Sequence, residues 1–355
     1  MLYSVIMAGG IGSRFWPMSR RHKPKHILPL LQGTPLIEAT IKRVLPLSPP
    51  EKLAIVTSDY QKRRITKILP WLENSNFIIE PMGRNTAPCV GLAAVNIYHR
   101  DPQAVMMVLP ADHIIDDDEE FRNCLRKAIK TAEAGDSLVT IGIPPTRVET
   151  GYGYIQRNAQ VEGTPGVYKV KTFAEKPNYE TAERFIASGD FYWNSGIFIW
   201  RVDVILEHFR RFLPELFDQL QEIAVRIGKS DYFRVVKKVY KSTRGISIDY
   251  GIMERAPSVK VIEGRFGWGD IGSWEEAYLR AAKDEQGNAV VGEHILLNSH
   301  NCYVDSPDRF IALMGMDEVI IVQSGNATLI CPRKYAQKVK EVVDRLEKTQ
   351  NKRYL

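Results

Sequence analysis

A chain of 355 residues, 44% apolar and 25% charged, is too long for one small core and has the composition of an ordinary soluble globular protein. Its formal charge of +6 is spread along the chain, an excess that suits anionic small molecules and nucleic acid alike and selects neither. Four scattered cysteines with no CxxC pair exclude a zinc cluster or a disulfide framework and point to a reducing compartment.

The chain runs from Met1 straight into a short apolar strand, Leu2–Met7, with no basic leader ahead of it. Helical spacing follows at 35–45, carried by Leu36, Ile37, Ile41 and Val44, up to a proline-rich break at 46–50. The pattern then alternates: strand 52–57, helix 61–72, strand 76–80, helix 86–99, strand 104–109, helix 121–134 and strand 138–143. Strands apolar on both faces and separated by helices predict an α/β fold with a mostly parallel sheet flanked by helices. No apolar run approaches the roughly 18–20 residues that span a bilayer. A cytoplasmic protein with no membrane contact is therefore expected.

Beyond residue 150 the pattern loosens. A hairpin-like 151–154, a strand at 167–173 and helices near 178–188 and 202–226 are expected. Between 289 and 330, six short strands with turn signals every few residues predict a small all-β unit, a short β-solenoid or a barrel. The stretch 333–348 closes the chain as an amphipathic helix with Tyr335, Val339, Val342, Val343 and Leu346 on one face. The expected division is 1–285 and 286–355. The apolar face of the last unit could serve a homodimer or pack on the large domain.

The stretch "MAGGIGSRFWPMSRRHKPKH" (7–26) has the composition of a phosphate grip. It is neither familiar glycine loop. The string GxxxxGK[ST] does not occur, and in a GxGxxG frame starting at Gly10 the last glycine position is Phe15. Gly9, Gly10 and Gly12 still let a backbone approach phosphate closely, and Arg14 and Lys25 would add charge-assisted bonds suited to a departing pyrophosphate. A glycine turn followed by a solvated basic loop is the plainer alternative. In "VLPADHII", Asp112 stands at the exposed end of a buried strand, where ligands sit in open α/β sheets. A carboxylate there suits Mg²⁺, or else caps the next helix. In "FAEKPN", period-two alternation puts Glu175 and Lys176 on opposite faces of a strand, so a side-by-side ion pair is not expected.

Gly9-Gly-x-Gly-x-Arg14, then Pro17, then Pro24-Lys25, resembles the signature loop of the sugar-nucleotide pyrophosphorylases, nucleotidyltransferases acting on sugar 1-phosphates. "GSRFWPMSR" is similar to their GDP-mannose branch, although His26 stands where the family commonly has glutamine. Further motifs, from residue 8 to residue 274, follow in the family's order. The resemblance implies a Rossmann-like nucleotidyltransferase (GT-A-like) domain, with a small C-terminal β-rich domain and terminal helix. It implies Mg²⁺ as cofactor, held by Asp112 and by Asp270 of "GRFGWGDIGSW", with GTP and mannose 1-phosphate as substrates and no nucleic acid partner. Ala8, Gly9, Gly10 and Gly12, with Arg84, Asn85, Thr86 and Pro88 of "EPMGRNTAP" and Asp112, would bind the nucleotide. Gly151, Glu175, Lys176, Asn194 and Asp249 would bind the sugar phosphate. Arg14, Lys25 and Lys176 would act on the reacting phosphates. Trp268 and Trp274 are read as packing.

Some relatives in that branch continue into a cupin isomerase domain with clustered histidines. The seven histidines here are scattered and the chain stops short of such a domain, so isomerase activity is not expected. The alternatives kept open are the same chemistry on another sugar or base, a non-catalytic sugar-nucleotide-binding regulator, and a dinucleotide-dependent oxidoreductase. The regulator would have lost Lys25, Asp112, Lys176 or Asp270, and all four are present. The oxidoreductase lacks the glycine at Phe15.

Overall fold

Residues Leu2–Met7 form strand β1, buried along its centre because a strand pairs with it on each side. The fold is that of a computed structural model, which describes residues 1–30, 33–349 and 351–355. By packing, these residues divide into two compact units, each made of two separate stretches: Met1–Gly9 with Thr40–Gly269, and Gly10–Ala39 with Asp270–Leu355. The boundary expected at 285/286 runs along the chain. By packing, residues 10–39 and 270–285 also belong with the C-terminal residues.

After β1 come α1 (Leu36–Val44), β2 (Leu53–Thr57), α2 (Asp59–Ile68), β3 (Phe77–Ile79), α3 (Thr86–Arg100), β4 (Val105–Pro110), α4 (Asp118–Glu133) and β5 (Leu138–Ile143). Then follow β6 (Tyr154–Gln160), β7 (Val167–Ala174), α5 (Tyr179–Ser188), β8 (Phe191–Arg201), α6 (Val202–Phe212), α7 (Pro214–Ala224), α8 (Tyr232–Ser242) and β9 (Val259–Glu263). Nine strands make one sheet in the order β3-β2-β1-β4-β8-β5-β9-β7-β6. The run β3-β2-β1-β4 is parallel throughout, and β5 pairs parallel with β9. The antiparallel pairs come from β8, β7 and β6. The parallel run sets the carboxyl ends of β1, β3 and β4 along one edge, and the segments expected to bind nucleotide follow those ends.

Helix α3 is buried from Ala87 to Ile97, apolar nearly all round, as a helix enclosed by protein should be. Its one interior amide, Asn96, donates to Leu92 O at 2.8 Å and to Tyr232 Oη at 2.8 Å. The single helix expected over 202–226 is two, because Pro214 lacks an N–H and starts α7 at its first turn. The eleven-residue β8, α8 and β9 have no counterpart in the expected pattern.

In the second unit, α9 (Trp274–Arg280) leads to β10 (Ala289–Val291), β11 (His294–Leu297), β12 (Tyr303–Asp305), β13 (Ile311–Met314), β14 (Val319–Ser324), β15 (Ala327–Pro332) and α10 (Val339–Lys348). Strands β10, β12 and β14 stack in parallel, as do β11 and β13, so the β-rich part is a solenoid and not a barrel. Its interior is Cys302, Val304, Leu313, Val319 and Ile321. The terminal segment expected as one helix is a 3₁₀ stretch, Arg333–Lys338, followed by α10. All four cysteines are free thiols. No helix among the described residues is long and apolar enough to cross a membrane.

From Gly10 onward the glycine loop belongs to this second unit and is stitched to it. Trp274 Nε1 donates to Trp16 O at 3.0 Å, and Trp16 Nε1 donates to Tyr354 O at 2.9 Å. Arg20 donates to Ser324 O at 2.9 Å and to Asn326 Oδ1 at 3.0 Å. Phe15 meets Trp274 edge to face with centroids 4.8 Å apart. The tryptophan at 274 is therefore packing, as expected.

Candidate active site

Within the second unit, Gly12 takes φ +74°, and a Cβ there would lie 2.4 Å from Lys25 Cβ. Only glycine permits both the turn and that approach. Lys25 N–H donates to Ile11 O at 3.0 Å, so the loop folds back on itself and carries Lys25 inward, where it is 5% exposed. Its ammonium donates to Asp270 O at 2.8 Å and lies 3.4 Å from Asp270 Oδ1. Arg14 is exposed, with no hydrogen-bond or ion-pair partner among the described residues. Ile271, a β-branched residue, holds φ +25° immediately after Asp270, a true backbone outlier.

Within the first unit, Ala8 is buried, with its N–H on Val56 O at 2.9 Å and its carbonyl taking the Thr57 hydroxyl at 2.7 Å. Gly9 is exposed beyond it and turns toward Glu80, whose Oε2 would be 3.5 Å from a Cβ at Gly9. Glu80 follows β3 and is absent from the candidate residues, although the quoted motif begins with it. Burial pushes its carboxyl up to about 7, against the opposing pull of hydrogen bonds from Tyr240 and Cys89. The Tyr240 hydroxyl lies 3.1 Å from both Glu80 Oε1 and Pro88 O.

Arg84, Asn85 and Thr86 each have a structural bond. Arg84 donates to Tyr240 O at 2.8 Å and Lys241 O at 3.2 Å, satisfying carbonyls at the end of α8. Asn85, at φ +66°, caps α3 with its own side chain on Thr86 N at 2.8 Å. Thr86 Oγ1 accepts from Ile248 N at 2.8 Å. Asp112 is half-buried just past β4. The cap of α4 is Asp117, so Asp112 does not serve as that cap. Its neighbour His113 accepts from Trp268 Nε1 at 3.2 Å, which also fixes Trp268 as packing.

Of the residues expected to bind the sugar phosphate, Glu175, Lys176, Asn194 and Asp249 are brought together. Asn194, in mid-β8, donates to Asp249 Oδ1 at 2.7 Å. A Cβ at Gly153 would lie 2.8 Å from Glu175 Oε2 and 3.5 Å from Asn194 Cβ, so these four residues share one small space. Burial raises the Asp249 carboxyl, the Asn194 bond opposes this, and the Glu175 charge adds to the rise. Burial likewise raises Glu254, with Asp249 and Glu175 adding. Gly151 stands apart and exposed, its N–H on Glu149 Oε1 at 2.9 Å.

The side-by-side pairing of Glu175 and Lys176 corrects the alternation argument: Lys176 Nζ donates to Glu175 Oε1 at 2.6 Å. The reason is local. Strand β7 ends at Ala174, and Lys176 takes φ +45°, which turns its side chain back beside its neighbour. Asn85, Lys176 and Ile271 are three of the six non-glycine residues with positive φ among those described, and each lies at or beside a candidate residue. Strain of this kind persists where the surroundings enforce it, commonly at ligand sites.

Residues 3–287 match the nucleotidyl transferase family, and residues 292–346 match the MannoseP isomerase/GMP-like beta-helix domain. A mannose-1-phosphate guanylyltransferase of Klebsiella pneumoniae is 37% identical over all of this chain and 76% of its own length. One from Escherichia coli has the same identity and coverage. A crystal structure from Thermus thermophilus, described as a mannose-1-phosphate geranyltransferase, superposes with a TM-score of 0.87 at 36% identity, covering 98% of this chain and 99% of that one.

Proposed function

We propose that this chain, which belongs to the nucleotidyl transferase family and to its mannose-1-phosphate guanylyltransferases, joins GTP and α-D-mannose 1-phosphate to give GDP-mannose and pyrophosphate. The observation that carries this reading is a buried lysine under a left-handed glycine in a loop that also presents a free arginine. In the reaction a phosphate oxygen of the sugar phosphate attacks the α-phosphorus in line, and the bond to pyrophosphate breaks. The nucleophile is already an anion, so the chain's work is positioning and charge neutralisation. Arg14 and Lys25 steady the leaving pyrophosphate. Lys176 exchanges its contact with Glu175 for the sugar phosphate, while Glu175, Asn194 and Asp249 take the sugar hydroxyls and Gly151 adds backbone contact. Ala8, Gly9, Gly10, Gly12 and the 84–88 segment hold the nucleotide.

The family generally uses a divalent metal ion. Two carboxylates are a hard oxygen donor set that fits Mg²⁺, and on this reading Asp112 and Asp270 would hold it. Bound there, the ion would offset the negative charge that keeps the two phosphate reactants apart. The transfer is assigned to residues 1–285, with 286–355 as the accessory β-rich domain. A second copy of the chain is the partner assigned to the apolar strip of Ile295, Leu297 and Met314, which are each at least half exposed. Free thiols suit a cytoplasmic setting.

The choice of base draws on Glu80. Once ionised, as pH rises through about 7, the Glu80 carboxylate beside Gly9 can accept from the N1–H and amino group of guanine, whereas adenine offers no N1–H on that edge. Pyrophosphate release across a panel of nucleoside triphosphates and sugar 1-phosphates, with Mg²⁺ present, tests the whole reading. GTP with mannose 1-phosphate should lead by at least about tenfold in kcat/KM, and silence from every pair removes the enzymatic reading.

A further inference from the structure

Apart from the residues assigned above, a cavity of about 510 Å³ opens between the α6–α7 junction and the segment that follows α8. That volume lies within the range of small-ligand sites. Its floor is apolar, from Leu213, Pro214, Leu216 and Ile246. Arg244 and Arg255 line it as well, both exposed; neither guanidinium has a hydrogen-bond or ion-pair partner among the described residues, although the Glu254 charge acts on Arg255. Glu215 is the one carboxylate in the lining, so the cavity's balance is positive. The 57% exposed Tyr250 supplies a flat aromatic face, and Phe212 lines the cavity with the Arg211 guanidinium 5.0 Å over its ring. Two guanidinium groups and an aromatic face lining one cavity are the chemistry that recognises a phosphate carrying a planar base.

The wall of this cavity is also the backbone that braces the reaction site. Gly245 backs onto Arg84, with a Cβ there 3.2 Å from Arg84 O. Ile246 O accepts from Ala87 N at 3.0 Å, and Ile248 N donates to Thr86 Oγ1 at 2.8 Å. One residue on, Asp249 accepts from Asn194. Residues Asp249–Met253 then form a π-helical turn, an irregularity frequent where a helix serves function. Gly251 closes the circuit, since a Cβ there would lie 2.9 Å from Leu213 Cδ1 in the cavity floor. An occupant that presses on 244–250 therefore bears on the supports of both substrate segments.

We propose that this cavity is a regulatory site for a nucleoside phosphate, with its phosphates on Arg244 and Arg255 and its base against Tyr250. Occupancy biases the 244–250 segment and so alters affinity at the reaction site, and substrate binding alters affinity here by the same factor. The cavity stands independently of the proposed reaction; only the effect on turnover rests on that reading.

The test uses GDP as probe, with the whole chain and its Arg244→Ala/Arg255→Ala variant. Equilibrium dialysis should find two GDP per chain in the natural protein and one in the variant. Initial rates should show mixed inhibition by GDP against GTP in the natural protein and purely competitive inhibition in the variant, with equal rates when GDP is absent. Arg255→Glu alone, a change at one exposed side chain, should weaken the second site roughly tenfold or more. One GDP per chain in both proteins overturns the proposal, as does a second site that survives both variants. Two GDP per chain with no pyrophosphate release from any substrate pair would keep this site and remove the reaction reading instead.

Discussion

Lys25 reaches across its own unit to lie 2.8 Å from Asp270 O, with its ammonium 5.7 Å from the centre of the Phe15 ring. It is thus a lysine fixed at stem and tip before any phosphate arrives. Preorganised charge of this kind acts on the transition state without first being reorganised. Lys25→Ala should lower kcat on the order of 10²–10³, as loss of one transition-state donor does, with KM for mannose 1-phosphate little changed. Normal turnover in single-turnover quench-flow would remove the role.

Gly12→Ala should act through the same lysine. The new methyl would meet Lys25 Cβ at 2.4 Å on a backbone held at φ +74°. Strain of about 1–3 kcal/mol is expected, with kcat falling by at least tenfold. Gly135→Ala, far from the loop, is the control, because a Cβ there meets nothing within 4 Å. A Gly12 variant as active and as heat-stable as the Gly135 variant would contradict the packing argument.

Asn194→Ala should raise KM for mannose 1-phosphate roughly tenfold and leave KM for GTP alone, since the bond from Asn194 to Asp249 orders only the acidic space around Glu175. Initial rates with each substrate varied in turn separate the two constants. A rise confined to GTP would move these residues out of the sugar site.

Glu80 makes stability depend on pH. Burial raises its carboxyl from 4.5 to about 7, so the folded chain holds that proton more tightly than the unfolded chain. The stability this confers is complete below pH 4.5 and is lost as pH climbs through about 7. In Glu80→Gln the dependence should vanish, so melting temperatures of the two proteins should shift in the variant's favour across that window and then run level. Parallel pH profiles would show that Glu80 titrates normally. The same variant should narrow the preference for GTP over ATP by at least about tenfold.

Asp112→Ala should abolish metal-dependent turnover without unseating α4, whose cap is Asp117. Titration of Mg²⁺ against rate, with a thermal melt alongside, checks both halves. Unchanged magnesium dependence would reassign Asp112 to structure.

The glycine loop, the alternating strands and helices and the solenoid are legible in the sequence because each rests on local chemistry: glycine turns, apolar periodicity, regular turn signals. Strand β8 is not, since Asn194, Ser195 and Gly196 interrupt its apolar run and only pairing with β4, β5 and β6 makes it a strand. Glu80 escapes notice because a lone acid at the end of a strand looks like surface until the sheet buries it. The Glu175–Lys176 contact is hidden because period-two reasoning assumes the strand continues, and it stops one residue earlier. Nor can spacing reveal that Arg84 and Thr86 tie down the ends of other elements, bonds made across more than 150 residues of chain.

The bond from Trp16 to Tyr354 spans 338 residues, and it bears on how the protein is made. A ribosome makes residue 16 well before residues 274, 324 and 354, so the loop gains its braces one after another, from Trp274, from Ser324 and from Tyr354. A chain cut back to residue 348 should keep the first two and lose the third, and should bind nucleotide more weakly than the 355-residue chain with every candidate residue present.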